Sequence, residues 1–177
     1  MTRYVALFRG INVGKAKRIA MADLRALLGK LGYAEVATLL NSGNAVFTAT
    51  AGDHAQRIRT AVAERLGVDA HVVVKTSRQI ADIVSGNPLE KIATDHSRLL
   101  VAMCDDGKAL TALRAPAARD WGDEKIHLGK QAVYLWCANG ILESAAAECL
   151  LKELKGKGTT RNWATLLKIH ALLTDGS

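Results

Sequence analysis

Hydrophobic positions in the N-terminal half of the chain switch repeatedly between the period of a strand and that of a helix. The run Tyr4-Val5-Ala6-Leu7-Phe8 predicts a buried strand over residues 3–8. Leu24, Leu27, Leu28 and Leu31 then fall at i, i+3, i+4 and i+7, which predicts a helix from Met21 to Leu31 ended by Gly32. Burying each of those leucines is worth roughly 2 kcal/mol, enough to dock one helix face and leave the other to water. Val36–Leu40 and Ala45–Thr48 predict two strands joined by the turn Asn41-Ser42-Gly43-Asn44. Asp53 is placed to cap a further helix, with Gln56 in the capping-box position. Ile58, Val62 and Leu66 mark the buried side of that helix, and Gly67 marks its end. A strand from His71 to Lys75 follows, then a helix from Ser77 that buries Ile80, Ile83 and Val84 and stops at Gly86-Asn87-Pro88. Up to Lys75 the order strand, helix, strand, strand, helix, strand is the split βαβ, or ferredoxin-like, pattern.

The second half repeats that order. Arg98–Cys104 is a strongly apolar strand, and Asp105-Asp106-Gly107 turns into a short helix through Leu110 and Leu113 that Pro116 limits. Lys125–Leu128 and Ala132–Cys137 flank the hairpin turn Gly129-Lys130. Ser144 opens a helix with Ala147, Leu150, Leu151 and Leu154 on one face, and Gly156 and Gly158 break it. Asn162 or Thr160 caps a last helix carrying Trp163, Leu166, Leu167 and His170. The strand expected before that helix is faint, around Thr159. The predicted fold is α+β: two ferredoxin-like (split βαβ) halves in tandem, with antiparallel or mixed sheets and helices packed on them. The expected division is residues 1–88 for the N-terminal half and 89–177 for a C-terminal α+β half with a terminal helix. Shared element order, without a residue-level repeat, carries this duplication.

Three polar segments interrupt these patterns. Arg9-Gly10-Ile11-Asn12-Val13-Gly14-Lys15-Ala16-Lys17-Arg18 holds two glycines and four cations, with no acid before Asp23. It is no Walker loop, since only three residues separate its glycines and Ala16 follows Lys15. A glycine-containing loop at the C-terminal end of a strand can nevertheless hold an anion through exposed amides and cationic side chains. The alternative is a loop that needs glycine for its backbone angles and whose cations face water. Asn41-Ser42-Gly43-Asn44 is a turn by composition, and its short polar side chains suit hydrogen bonding to a ligand. Ser42 has no neighbouring base and no G-x-S-x-G around it, so it is not read as a nucleophile. Arg161-Asn162-Trp163 reads as a helix start. There Asn162 is a potential cap, Trp163 a core residue at helical spacing, and Arg161 a cation added to a positive dipole end, where it calls for an anion or an internal carboxylate. Tyr4 and Phe8 on one strand face, with Phe47 on a neighbouring strand, would either be core or an aromatic platform for RNA bases.

Charge sharpens this picture. The chain of 177 residues carries a net +7, and residues 1–88 hold twelve Lys/Arg against six Asp/Glu, whereas residues 89–177 hold twelve against eleven. A basic half attracts a nucleotide, another phosphorylated ligand or nucleic acid, or simply keeps the surface solvated. Cys104, Cys137 and Cys149 are odd in number and widely spaced, as expected of neutral thiols in a reducing compartment. The five histidines form no ligand pair, so no metal and no cofactor is expected. No apolar run is long enough to span a bilayer, and the first residues lack the basic-then-apolar pattern of a secretory leader, so no membrane contact and a cytoplasmic location are expected. The acids Asp105, Asp106, Asp120, Asp123 and Glu124 read as turns, caps and a solvated loop, and no catalytic residue is assigned.

The polar segments also carry a resemblance. Arg9–Gly14 followed by Lys15–Arg18 and Met21–Arg25 is similar to the R-G-I-N-V-G opening, basic loop and M-x-x-L-R helix of the bacterial family catalogued as domain of unknown function number 1697. That family's S-G-N-x-x-F, Y-L-W and T-x-R-N-W-x-T-x-x-K are matched by Ser42–Phe47, Tyr134–Trp136 and Thr159–Lys168. Relatives often carry a Ser-Lys pair at the start of the helix after Y-L-W, whereas here Ser144 is followed by Ala145. The resemblance implies a cytoplasmic α+β protein of two ferredoxin-like halves and implies no activity.

The leading expectation is a protein that binds a small anion, nucleotide or phosphorylated metabolite. Arg9, Lys15 and Arg161 would supply charge, Asn12, Asn41, Ser42, Asn44 and Asn162 hydrogen bonds, and Gly10, Gly14 and Gly43 backbone access, with Trp163 beside them. The alternatives are a nucleic-acid-binding module using the basic half, an enzyme of unassigned class, and a scaffold or homodimer.

Overall fold

The computed structural model describes residues 1–175. The strands are β1 (Thr2–Phe8), β2 (Ala34–Leu39), β3 (Asn44–Ala49), β4 (Val72–Thr76), β5 (Leu99–Cys104), β6 (Lys125–Leu128), β7 (Ala132–Trp136) and β8 (Gly158–Asn162). The helices are α1 (Met21–Lys30), α2 (His54–Leu66), α3 (Ser77–Ser85), α4 (Gly107–Ala112), α5 (Arg114–Ala118), α6 (Ala145–Glu153) and α7 (Trp163–Thr174). The strands form two sheets of four, ordered β2-β3-β1-β4 and β6-β7-β5-β8. Every strand pair is antiparallel, which settles the choice between antiparallel and mixed sheets. Each sheet carries its own helices, so the fold is α+β in two similar halves, as the element order predicts.

Register exposes a repeat that residue identity hides. Val5 on β1 faces Val46 on β3 and Lys75 on β4. Val101 on β5 faces Tyr134 on β7 and Arg161 on β8. Lys75 and Arg161 therefore occupy equivalent places, and both are buried.

Two compact units result: Met1–Arg78 with the described residues from Ile169 onward, and Gln79–Lys168. In the first, alternate residues Tyr4, Ala6 and Phe8 of β1 join Phe47 of β3, Leu24, Leu27 and Leu28 of α1, and Ile58 and Val62 of α2 in one core. Tyr4 stacks on Phe47 at 5.5 Å between ring centroids, and Tyr33 lies over the same ring at 4.4 Å. His54 Nε2 lies 2.8 Å from the Thr50 carbonyl, which only accepts, so Nε2 carries a proton, and Nδ1 pairs with the Tyr33 hydroxyl at 3.0 Å. These aromatics are core, and the base-stacking platform considered for Tyr4, Phe8 and Phe47 does not exist. The end of α7 belongs to this unit, where Arg3 donates to the Leu172 carbonyl.

In the second unit Leu100, Ala102, Val133 and Leu135 pack with Ala146, Ala147 and Leu150 of α6. From Gln79 onward α3 belongs here, fastened by the Tyr134 hydroxyl donating to the Ile83 carbonyl at 2.6 Å. The helix that follows each half's last strand is thus divided between the two units.

Local chemistry sets most boundaries. Asp53, Asp106 and Ser144 each accept a backbone N–H as N-caps, and Gly67 closes α2 in the left-handed region. Gln56 makes half of a capping box: its N–H donates to Asp53 Oδ1, while its side-chain amide is turned to Thr60 Oγ1. Two expectations are corrected. Pro116 lies inside α5 rather than limiting a helix, because a first-turn residue has no intrahelical N–H bond to lose. Arg161 lies in strand β8, paired with Val101, rather than at the helix start. No helix among the described residues is long and apolar enough to cross a membrane.

Candidate functional site

Immediately after β1 the chain enters the basic loop, and the first unit brings this loop against the turn between β2 and β3. Asn12 makes the join. Its Nδ2 donates to the carbonyls of Ile19 and Asn41, both at 2.8 Å, and its Oδ1 accepts from the Ile19 N–H at 2.8 Å. The Asn12 N–H bonds to the Lys17 carbonyl at 3.0 Å, pinching the loop at its base. Ile11 is buried under the turn, and a Cβ on Gly43 would come within 2.5 Å of Ile11 Cδ1 and 2.8 Å of Phe8 Cβ. Gly43 is therefore glycine because Ile11 and Phe8 occupy the space a side chain would need. Asn44, buried, donates to the Leu39 carbonyl at 2.7 Å and to Ser42 Oγ at 3.2 Å, which holds the turn shut.

Backbone strain gathers at this junction. Among the described residues four non-glycines have positive φ, and three of them, Asn12, Lys17 and Leu40, lie in these two segments. Such conformations persist only where the surroundings impose them, and they cluster at functional sites. Within the loop φ is positive at Gly10 (68°), Asn12 (56°) and Gly14 (63°), with Ile11 and Val13 outside that region. Successive residues of opposite hand turn backbone N–H groups toward one side, the geometry of an anion-holding nest. Among the described residues, the N–H groups of Gly10, Val13, Gly14 and Lys15 make no hydrogen bond within the protein.

The cations frame those amides. Lys15, Lys17 and Arg18 are exposed, and neither Lys15 nor Arg18 is ion-paired among the described residues. Arg18 curls back to donate to the Gly14 carbonyl at 3.1 Å, bracing the loop. Arg9, half-buried at the loop's root, is fixed by its N–H to the His71 carbonyl at 2.9 Å. Burial lowers its pKa from the ordinary value. Asp69 is the nearby negative charge. Hydrogen bonds from Arg59 hold its carboxyl below the usual range, and Lys17 adds a smaller attraction.

The third segment belongs to the second unit. Asn162 Oδ1 accepts the Thr165 N–H at 2.9 Å and caps α7, while Trp163 is fully buried with its Nε1 directed to Glu90 at 3.3 Å. Arg161 is buried in β8, donating to Thr159 Oγ1 and the Thr160 carbonyl, and desolvation lowers its pKa to about 10. It stays charged at neutral pH.

The start of α6 is served from within the chain. Ser144 Oγ donates to the Glu124 carboxylate and accepts the Ala147 N–H, and Glu124 also faces the Ala146 N–H. An external anion there would compete with Glu124. Cys137 is buried beside Ser144, and burial, aided by the Glu124 charge, pushes its thiol up to about 11. A thiol that remains protonated is a poor nucleophile. At pH 8 a thiol-reactive disulfide reagent is therefore expected to label Cys149, which is only partly buried, before Cys137 and Cys104. Mass spectrometry of partly labelled protein checks the order, and early labelling of Cys137 would contradict it.

Sequence reasoning did not single out Val13 and Leu40, two exposed apolar residues at this junction, because neither carries a polar or glycine signal.

Comparison with known proteins agrees with the geometry at the level of family and fold. The family model described as "Protein of unknown function (DUF1697)" matches residues 1–134. The conserved bacterial protein SP0830 from Streptococcus pneumoniae is similar in structure, with a TM-score of 0.79 and 26% sequence identity, over 98% of this chain and 99% of that one. No curated protein matches the chain significantly.

Proposed function

The chain belongs to the DUF1697 family of proteins of unknown function, and within that family we propose that it binds a small anionic or phosphorylated ligand at the Arg9–Arg18 loop. One observation carries this reading: a backbone of alternating hand presents unbonded N–H groups beside exposed cations. The fold holds the loop in that conformation through Asn12, Ile11 and Gly43, so little ordering entropy remains to oppose binding. Asn12, Asn44 and Gly43 act by shaping the site, Gly10, Gly14 and Lys15 by meeting the ligand. Cysteines held as thiols rather than disulfides fit a cytoplasmic protein.

The test titrates ¹⁵N-labelled protein with inorganic phosphate, pyrophosphate and AMP. The Gly10, Gly14 and Lys15 amides are expected to shift at millimolar ligand, and Lys15→Ala with Arg18→Ala to weaken binding about tenfold. Rising salt weakens it further. If none of the three anions moves those amides, the reading fails. If generic RNA binds the loop with a steep salt dependence while the small anions do not, the nucleic-acid reading replaces it.

A further inference from the structure

The second unit contains a cleft of about 700 Å³ between the last turn of α3 and the β6–β7 hairpin, within the range that accommodates a small metabolite. Its floor is the ring of Tyr134, the first residue of the Y-L-W segment, locked by the bond from its hydroxyl to Ile83. Two glycines keep that floor accessible. A Cβ on Gly129 would lie 2.9 Å from Tyr134 Cε2, and one on Gly86 would lie 3.0 Å from the Asp82 carbonyl oxygen and 3.3 Å from the Tyr134 hydroxyl. Neither has positive φ, so space rather than backbone angle selects glycine at both.

The two walls carry opposite charge. On the hairpin side stand Lys130 and His127, both exposed. On the helix side stands Asp82, next to the C-terminal end of α3, where the helix dipole is negative. Gln131 Nε2 donates to Asp82 Oδ2 at 3.1 Å, which ties the walls together and leaves the second carboxylate oxygen available. A simple anion in this cleft would face Asp82, and a simple cation would face Lys130.

We propose that this cleft binds a small zwitterion of amino-acid type, with its ammonium group toward Asp82 and the end of α3 and its carboxylate toward Lys130 and His127. The volume accommodates a dipeptide, and the planar His127 imidazole offers a face for its amide.

The test uses the full ¹⁵N-labelled chain titrated with alanyl-alanine, its N-acetyl form and its C-terminal amide. Alanyl-alanine is expected to shift the Gly86, Gly129, Lys130 and Gln131 amides at millimolar concentration, and each capped form to bind about tenfold more weakly. Asp82→Asn should abolish the preference over the N-acetyl form, and Lys130→Ala the preference over the amide. Absence of shifts, capped forms that bind as tightly as alanyl-alanine, or the same shifts on adding inorganic phosphate alone overturns the proposal. Both substituted side chains are exposed, and the capped-ligand comparison needs no variant.

Discussion

Gly43→Ala is expected to destabilise the protein by about 2–5 kcal/mol. Left-handed backbone costs an L-residue about 1–2 kcal/mol, and overpacking a filled site costs about 1–3 kcal/mol more. Both apply at Gly43, where φ is 91° and the new methyl would meet Ile11 and Phe8 well inside contact distance. Ile11 Cδ1 is a terminal methyl, but Ile11 is buried and its Cγ1 and the Phe8 Cβ crowd the same point at 2.9 and 2.8 Å, so relief requires the loop to move off the turn. Gly14→Ala is the matched control. It also has positive φ, but its Cβ would meet nothing within 4 Å, so only the backbone strain remains, about 1–2 kcal/mol. Urea denaturation of the two variants measures the difference, and equal losses would show that the Ile11–Gly43 contact does not hold the loop. Phosphate binding should fall in Gly43→Ala even in the folded protein, because the amides it displaces are those proposed to hold the ligand.

The second large effect concerns Trp163. Its side chain is fully buried at the start of α7. Trp163→Ala should cost about 3–5 kcal/mol, and Trp163→Phe much less, the pattern of a lost core volume. Thermal melts and urea curves give these values. A residue that instead met a ligand would show the reverse: small losses of stability in both variants and lost phosphate affinity in the folded state. That outcome would return Trp163 to the binding machinery.

Both expectations turn on what the sequence could convey. Periodic apolar spacing and caps are local signals, and Leu24, Leu27, Leu28, Asp53, Asp106 and Ser144 all act where spacing places them. β8 was faint because Gly-Thr-Thr-Arg-Asn contains no large apolar residue, yet Thr159 and Arg161 are buried. A polar residue can occupy a buried strand position when it finds partners, as Arg161 does with Thr159 and Thr160, and composition cannot report that. The same ambiguity affects the asparagines. Asn12 and Asn44 look alike as hydrogen-bonding candidates, but their side-chain amides hold the carbonyls of Ile19, Asn41 and Leu39. Glycine announced the left-handed positions 10, 14 and 43, while Lys17 and Leu40 adopt the same region with no compositional sign. Element order conveys the duplication, but its residue-level correspondence is hidden because equivalent positions share charge or burial rather than identity, as Lys75 and Arg161 show.

The placement of α3 and α7 bears on how such a molecule could be taken apart. A fragment ending after Thr76 would lack the Leu172 carbonyl that Arg3 grips, and one starting at Leu99 would lack the Ile83 carbonyl that anchors Tyr134. Each piece would carry a raw surface tailored to a segment encoded elsewhere in the gene. A cut between the two halves would therefore leave each piece short of a segment that its own unit uses.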